Sequence, residues 1–499
     1  MPPVAIALAL AVSACATVGP NFTSPAAPTV TRYTPPAEGP LSNPDAGPAA
    51  PGQTLSIGDK VAVDWWTLYR SADLERLVKE AIAGSPTLDS AKARLAAARA
   101  EVVAASGALY PQVGIGASAT EERQSAGAFG LSSAQFALPP SFNYFQIGPS
   151  ASWTPDLFGG THRRIEQQTA LAEFQRDQLG AAYLTLTGAT VTEAIQLAAV
   201  RAQLQAVDQI LDIDRQNLDL VRKERQAGEV PDSDVVAAES QLAADETLKP
   251  GLDQQLSAAR HAMAILLGRA PGEWAPPDFD LAGLTLPSRL PVSLPSELVH
   301  QRPDIQAAEA QLHAASARIG IATARLYPSI TLSAGISGSS LNGANLFNPA
   351  GLIWSIAAGI TQPIFDGGTR RAERRAALAE FRAYAADYKL TVLQSFGQVA
   401  DVLEALRHDA AALAAQQRAL NTASQSVGLQ RINYVEGGAG LLNLLDAERQ
   451  YQQASLGYAR ATAQRYQDTT QLLLAMGGGW WGANLTLADT VPAKPETVR

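Results

Sequence analysis

The chain has 499 residues, 46% of them hydrophobic and 17% charged, with a formal net charge of −9 and a single cysteine. The negative balance excludes nucleic acid as the main partner, because no excess of cations is present to displace counterions from phosphates. One cysteine excludes an internal disulfide and any multi-cysteine metal or redox site, and no apolar run reaches the roughly 18 residues of a membrane-spanning helix.

From the N-terminus, Ala5 to Val12 form an apolar stretch the size of a signal-peptide core, followed by Ser13, Ala14 and Cys15. Val12-Ser13-Ala14-Cys15 resembles the bacterial lipobox, which implies a signal peptide over residues 1–14 and a lipid (palmitate-type acylation) on Cys15. Ala16 in place of Asp implies sorting to the outer membrane. No Lys or Arg precedes the apolar run, a departure from the usual signal peptide. Residues 15–60 are rich in Pro, Gly, Ser and Thr and read as an extended, lipid-anchored tether.

Self-similarity organises the remainder of the chain. Ser85-Pro86-Thr87-Leu88 through Leu109-Tyr110-Pro111 matches Arg302-Pro303-Asp304-Ile305 through Leu326-Tyr327-Pro328 at a constant offset of 217. Leu157-Phe158-Gly159-Gly160 recurs as Ile364-Phe365-Asp366-Gly367-Gly368, and Ala170-Leu171-Ala172-Glu173-Phe174 as Ala377-Leu378-Ala379-Glu380-Phe381. Two repeats result, 61–269 and 297–476, joined by a Pro-rich linker at 270–296 and followed by a tail at 477–499.

Each repeat reads as helix, two strands, long helix, turn, helix. Residues 86–108 carry Ala, Leu and Arg at helical spacing. Residues 160–226 and 369–434 contain no proline, which predicts helices of roughly 100 Å each. Val392, Phe396, Val399, Leu403, Leu406, Ala410 and Leu413 alternate steps of four and three, as do Val200, Leu204, Val207 and Leu211, the spacing of a coiled-coil seam. A further helix over 231–267, stacked end to end with 86–108, predicts a second track matching the long rod. The chain then supplies four tracks.

Between the helices lie four segments of period two, at about 111–123, 145–156, 328–338 and 353–363. In the first, Val113, Ile115, Ala117 and Ala119 alternate with Gln112, Gly114, Gly116, Ser118 and Thr120; the last places Trp354, Ile356, Ala358 and Ile360 on one face. Ten residues is the length of a tilted strand crossing a bilayer, with the small polar face turned to water. An ordinary antiparallel sheet with one face on a core fits the alternation equally well. A membrane reading requires several chains, since four strands do not close a barrel and lipid tolerates no open edge.

These residues resemble the TolC-like outer membrane factors, in particular the NodT-type efflux lipoproteins. The resemblance is carried by Cys15 through Phe22 with Pro25, Trp65-Trp66, Arg302-Pro303-Asp304-Ile305 with Ala308-Glu309, and Gln362-Pro363-Ile364-Phe365-Asp366-Gly367-Gly368, in that order. It implies a mixed α/β membrane protein: a homotrimer whose twelve strands form an outer-membrane β-barrel continued by a twelve-helix, coiled-coil periplasmic α-barrel. Segments 60–80, 270–297 and 476–499 would belt the helices. The function implied is the exit duct of a tripartite efflux pump, such as serves multidrug resistance, working with a periplasmic adaptor and an inner-membrane resistance–nodulation–division transporter. A type I secretion channel and a lipid-anchored coiled-coil spacer without a pore are the alternatives, and four bilayer-length strands speak against the spacer.

Site residues follow from the turns. Gly228-Glu229-Val230 and Gly437-Gly438 each carry glycine as a helix breaker, and with Arg222 they are the expected adaptor-docking positions. Leu442 and Asp446, four apart, share a helix face; under three-fold symmetry they would form an apolar and an acidic ring at the gate, and an acidic ring disfavours anions. Tyr434 with Asp446 matches the latch of some family members, but Asn443 and Ala439 replace the other charged positions, which favours closure by packing. A solvated or capping role for Asp446, and for Asp232 and Asp234, is the plain alternative. No enzyme is expected. His162, His261, His300, His313 and His408 lack ligand spacing, Gly114-Ile115-Gly116 with Ala119 sits inside a strand, and neither metal nor cofactor is expected beyond the Cys15 lipid.

Overall fold

The computed structural model describes residues 17–34, 52–123 and 141–480. The signal peptide, Cys15 and the tail beyond residue 480 lie outside the described residues. In chain order the elements are β1 (Thr54–Ile57), α1 (Ala72–Gly84), α2 (Pro86–Gly107), β2 (Gln112–Glu122), β3 (Phe142–Trp153), α3 (Gly160–Ala227), α4 (Asp232–Glu246) and α5 (Leu248–Leu266). Then come β4 (Arg289–Val292), the short α6 (Pro295–Leu298), α7 (Pro303–Ala324), β5 (Ser329–Ser340), β6 (Leu352–Thr361), α8 (Thr369–Val435) and α9 (Leu441–Ala475).

Local chemistry explains the boundaries. Pro86 and Pro303 open α2 and α7, where the missing N–H costs nothing, and Pro111 and Pro328 lie just beyond them, where the residue before proline is driven out of helical geometry. α2 and α7 are 22 residues each, and both ends of α7 lie 217 residues after those of α2. The single helix expected over 231–267 is instead two, broken at Thr247. Pro250 is the physical reason: it has no N–H to give, and its ring would strike the carbonyl of Glu246 four residues earlier in an unbroken helix.

The chain divides into two compact units. Of the described residues, one comprises those up to Ser24 with those of Ala96–Phe174 and Glu309–Asp387; the other comprises those of Pro25–Leu95, Gln175–Ala308 and from Tyr388 onward. The boundaries cut across both repeats rather than between them, so α3 and α8 each begin in the first unit and end in the second.

The first unit holds a four-stranded antiparallel sheet of order β2-β3-β5-β6. Paired residues share a face, and the register sorts the chemistry. Val113 pairs Ala151, Ala117 pairs Ile147, Ala334 pairs Ile356 and Ile336 pairs Trp354, so the apolar positions of all four strands fall on one side. Gln112–Ser152, Gly114–Ser150, Ser118–Gln146 and Gly335–Ser355 fall on the other. The β3–β5 ladder skips Gly148 and Pro149. Proline has no N–H to donate there, and a Cβ on Gly148 would stand 2.1 Å from the Ile336 carbonyl oxygen. Side chains also tie strands to the preceding helix ends: Gln112 Nε2 donates to the Gly107 and Tyr110 carbonyls, and Gln362 Nε2 to that of Leu326.

The same unit pins residues 17–22. The Arg163 guanidinium donates to the Val18 and Gly19 carbonyls and to Asn21 Oδ1, and Phe22 stacks on His313 with centroids 4.4 Å apart.

The second unit carries the main core. α1 buries Leu74, Leu77, Val78 and Ala81, one stripe of an amphipathic helix whose N-cap is Ser71. Around them lie Trp65 and Tyr69, both fully buried, with Ile195, Leu290, Leu298 and Leu472. Three polar tips find partners: the Tyr69 hydroxyl lies 2.6 Å from Thr470 Oγ1, Tyr466 donates to the Leu284 carbonyl and Trp480 to that of Gln301, whereas the buried indole N–H groups of Trp65 and Trp66 find none among the described residues. Arg302 donates to the Ala475 carbonyl at the C-terminal end of α9, to Asp304 and to Gln398. A buried cation there complements the helix dipole, which accounts structurally for the Arg302-Pro303-Asp304 motif.

Two expectations change in this unit. The tether expected through residue 60 and the linker expected at 270–296 both contain strand: β1 pairs in parallel with β4, from Thr54–Arg289 to Ile57–Val292. The seam residues Val200, Val207, Leu211, Val392, Val399, Leu406 and Leu413 are buried.

Candidate functional site: a two-faced sheet and the helix turns

Burial would hide the apolar side of the sheet if it packed on a core within the chain. Instead Ile115 is 77% and Ile356 79% exposed, with Val113, Trp354 and Ile360 similarly bare. Every residue of β2 and of β6, the two outer strands, is exposed. An ordinary sheet on a core therefore does not describe this one. Such a face in water is a strong liability, and outer strands carry unpaired backbone groups. In hydrocarbon the face is at home, provided the edges are closed.

At the other candidate region, α3 and α8 end on matched turns. Gly228 (φ +81°) and Gly437 (φ +74°) take the left-handed conformation that side chains resist. The N–H of Glu229 reaches back to the Glu224 carbonyl and that of Gly228 to Arg225; Gly438 reaches Asn433 and Gly437 reaches Tyr434 in the same way. Both are Schellman closures, satisfying carbonyls the helix leaves orphaned. Beneath the turns Leu218, Val221, Ala238, Tyr434, Leu441, Leu444 and Leu445 form one apolar cluster, with Val230 packed against it.

The expected gate residues separate. Tyr434 is buried and donates to Glu224 Oε2 over 2.5 Å, not to Asp446; burial, then the Glu224 carboxylate, push its phenol well above the ordinary tyrosine range. Asp446 pairs with Arg449 and accepts from Gln450 on its own helix. Within one chain, then, no Tyr434–Asp446 latch exists. Leu442 is 73% exposed and, unlike Leu441, Leu444 and Leu445, is not drawn into the cluster. At the first turn Arg222 pairs with Glu239 and Arg225 with Asp232, and the arginine holds the Asp232 carboxyl below its usual range. Asp232 and Asp234 lie in the first turn of α4, and the N-cap itself is Pro231, without a side-chain cap. Glu229, Gly228, Gly437 and Gly438 are exposed.

Sequence reasoning missed Glu224, whose partner lies 210 residues away. It also missed Asp214, Asp245 and Glu448, buried acids whose signal was available: each falls where the helical spacing calls for an apolar residue.

The family model described as outer membrane efflux protein matches residues 77–269 and 294–478. The chain belongs to the outer membrane efflux protein family. It is 30% identical over 446 residues to the pyoverdine export outer membrane protein OpmQ of Pseudomonas aeruginosa, spanning 87% of this chain and 92% of that protein. Nodulation protein T of Rhizobium leguminosarum bv. viciae is 28% identical, over 86% of this chain and 87% of its own length. The solved outer-membrane channel OprN superposes with a TM-score of 0.81 at 28% identity, over 93% of this chain and 99% of that one. Membership of this family supplies a setting in which an exposed apolar sheet face is no liability.

Proposed function

We propose that this outer membrane efflux protein is the exit duct of a tripartite pump, passing cargo from a periplasmic adaptor and an inner-membrane resistance–nodulation–division transporter to the exterior. The observation that carries the reading is the sheet with an exposed apolar side and two exposed outer strands. Four strands cannot close on themselves and lipid admits no open edge. Three copies supply twelve strands, enough for a barrel whose small, polar side lines water, with the helices continuing the passage into the periplasm.

Leu442 and Asp446 are the proposed gate, an exposed apolar residue one turn from a carboxylate, repeated three times around the passage. Closure by packing fits better than a latch, because Tyr434 is already committed to Glu224. The turns at Gly228-Glu229-Val230 and Gly437-Gly438, with Arg222, are the proposed adaptor-docking surface, and Cys15 the lipid anchor in the outer membrane. The duct, in this reading, carries whatever its inner-membrane partner delivers.

Planar-bilayer conductance of the purified protein tests the reading. Leu442→Ala with Asp446→Ala is expected to convert a rarely open pore into a conducting one. A folded trimer that stays silent with both substitutions would overturn it.

A further inference from the structure

Three of the four helices that meet beneath the turns also bring carboxylates together. On α3 Val207, Leu211, Asp214, Leu218 and Val221 are buried at steps of four and three, an aspartate inside an apolar series. On α4 Ala238 and Leu242 are followed at the same spacing by Asp245; on α9 Leu441 and Leu445 are followed by Glu448. The three acids are only 4%, 6% and 6% exposed. Asn217 donates to Glu448 Oε1 over 2.5 Å, and Gln452 and Gln241 donate to the two oxygens of Asp245 over 2.5 and 2.8 Å. Asp214 Oδ2 and Glu448 Oε2 have no hydrogen-bond partner among the described residues. Two cations act on the group, Arg215 of α3 and Arg431 of α8. Both are exposed, Arg215 engaged with Asp212 and Glu246 and Arg431 with Gln216.

A buried carboxylate whose neighbouring cations are exposed and engaged elsewhere, and which keeps an unfilled oxygen, is costly when ionised. Holding a proton removes that cost and lets two neighbouring carboxyl groups share a hydrogen bond. Burial, then the adjacent Asp245, push the Asp214 carboxyl up to about 8, and burial also raises Glu448.

We propose that Asp214, Asp245 and Glu448 form a proton-operated clasp on the turn ends of α3, α4 and α9, closed while they share a proton and loosened when it leaves. The exit-duct reading enters only in the corollary that loosening eases passage; the change in helix packing stands apart from it. The direction follows from proton linkage. The packed state keeps a proton that a locally opened state, with an ordinary carboxyl near 4, gives up. Local stability therefore falls as pH rises from about 4 to about 8 and levels off above.

Hydrogen exchange of the full chain in lipid nanodiscs, corrected for the intrinsic rate at each pH, tests the clasp. Protection over 232–246 and 441–448 is expected to fall about tenfold or more between pH 6 and 8, since one released proton allows up to about tenfold per pH unit. Asp214→Asn is expected to abolish the dependence, and Asp245→Asn, a second variant should the first not fold, to shrink it. Protection that is flat with pH in the unmodified chain, or an undiminished fall in both variants, would overturn the clasp. Exchange that responds while conductance does not would leave the clasp standing and count against the exit-duct reading.

Discussion

The two units of this chain treat apolar surface in opposite ways. In the helical unit Trp65, Tyr69, Leu74 and Ile195 are fully buried by residues of the same chain. In the sheet unit Ile115 and Ile356 are more than three-quarters exposed although their strands are well formed and in register. One unit covers its large apolar side chains with residues of the same chain and the other leaves a row of them bare, a difference that appears only when register and exposure are taken together.

Substitutions can break that contrast. The largest effect is expected in the self-sufficient core, where Trp65→Ala should cost about 3–5 kcal/mol, read as a shift of the chemical-denaturation midpoint. Next comes the sheet. Ile115→Arg should cost about 2 kcal/mol or more when the protein is refolded into vesicles, because a cation on the proposed lipid side would have to leave water. Ser118→Arg, three residues along on the opposite side, should cost far less. Equal penalties at the two positions would remove the distinction between lipid and water faces. Smallest is Gly437→Ala, expected to cost about 1–2 kcal/mol for placing a side chain at φ +74°, visible as a lowered thermal midpoint with the core intact.

Much of this architecture was legible in the residues. Alternation in Gln112–Glu122 and its three counterparts gave the strands, because the pleat puts neighbours on opposite faces. Absence of proline gave the two long helices, and glycine at 228 and 437 gave the turns. Other features depend on partners far away in the chain. Thr54–Ile57 reads as tether until Arg289–Val292 lies beside it, and Tyr434 matches a latch to Asp446 until Glu224 takes its hydroxyl. The break at Thr247 needed only Pro250 and was readable. So were the buried acids, as polar letters in an apolar series; what the spacing alone does not show is that three helices bring theirs to one place.

The small parallel pair has a consequence for the order in which the chain can mature. Gln53, at the head of β1, bonds the Pro287 carbonyl 234 residues later and Thr469 a further long stretch on, a separation of 416. Contacts so distant in sequence close large loops and form slowly. A chain emerging N-terminus first makes β1 early, yet its ladder waits for β4, and the Gln53 bond to Thr469 waits for α9. The stitch at the head of β1 is thus completed late, and its integrity reports that the two ends of the helical unit have found each other.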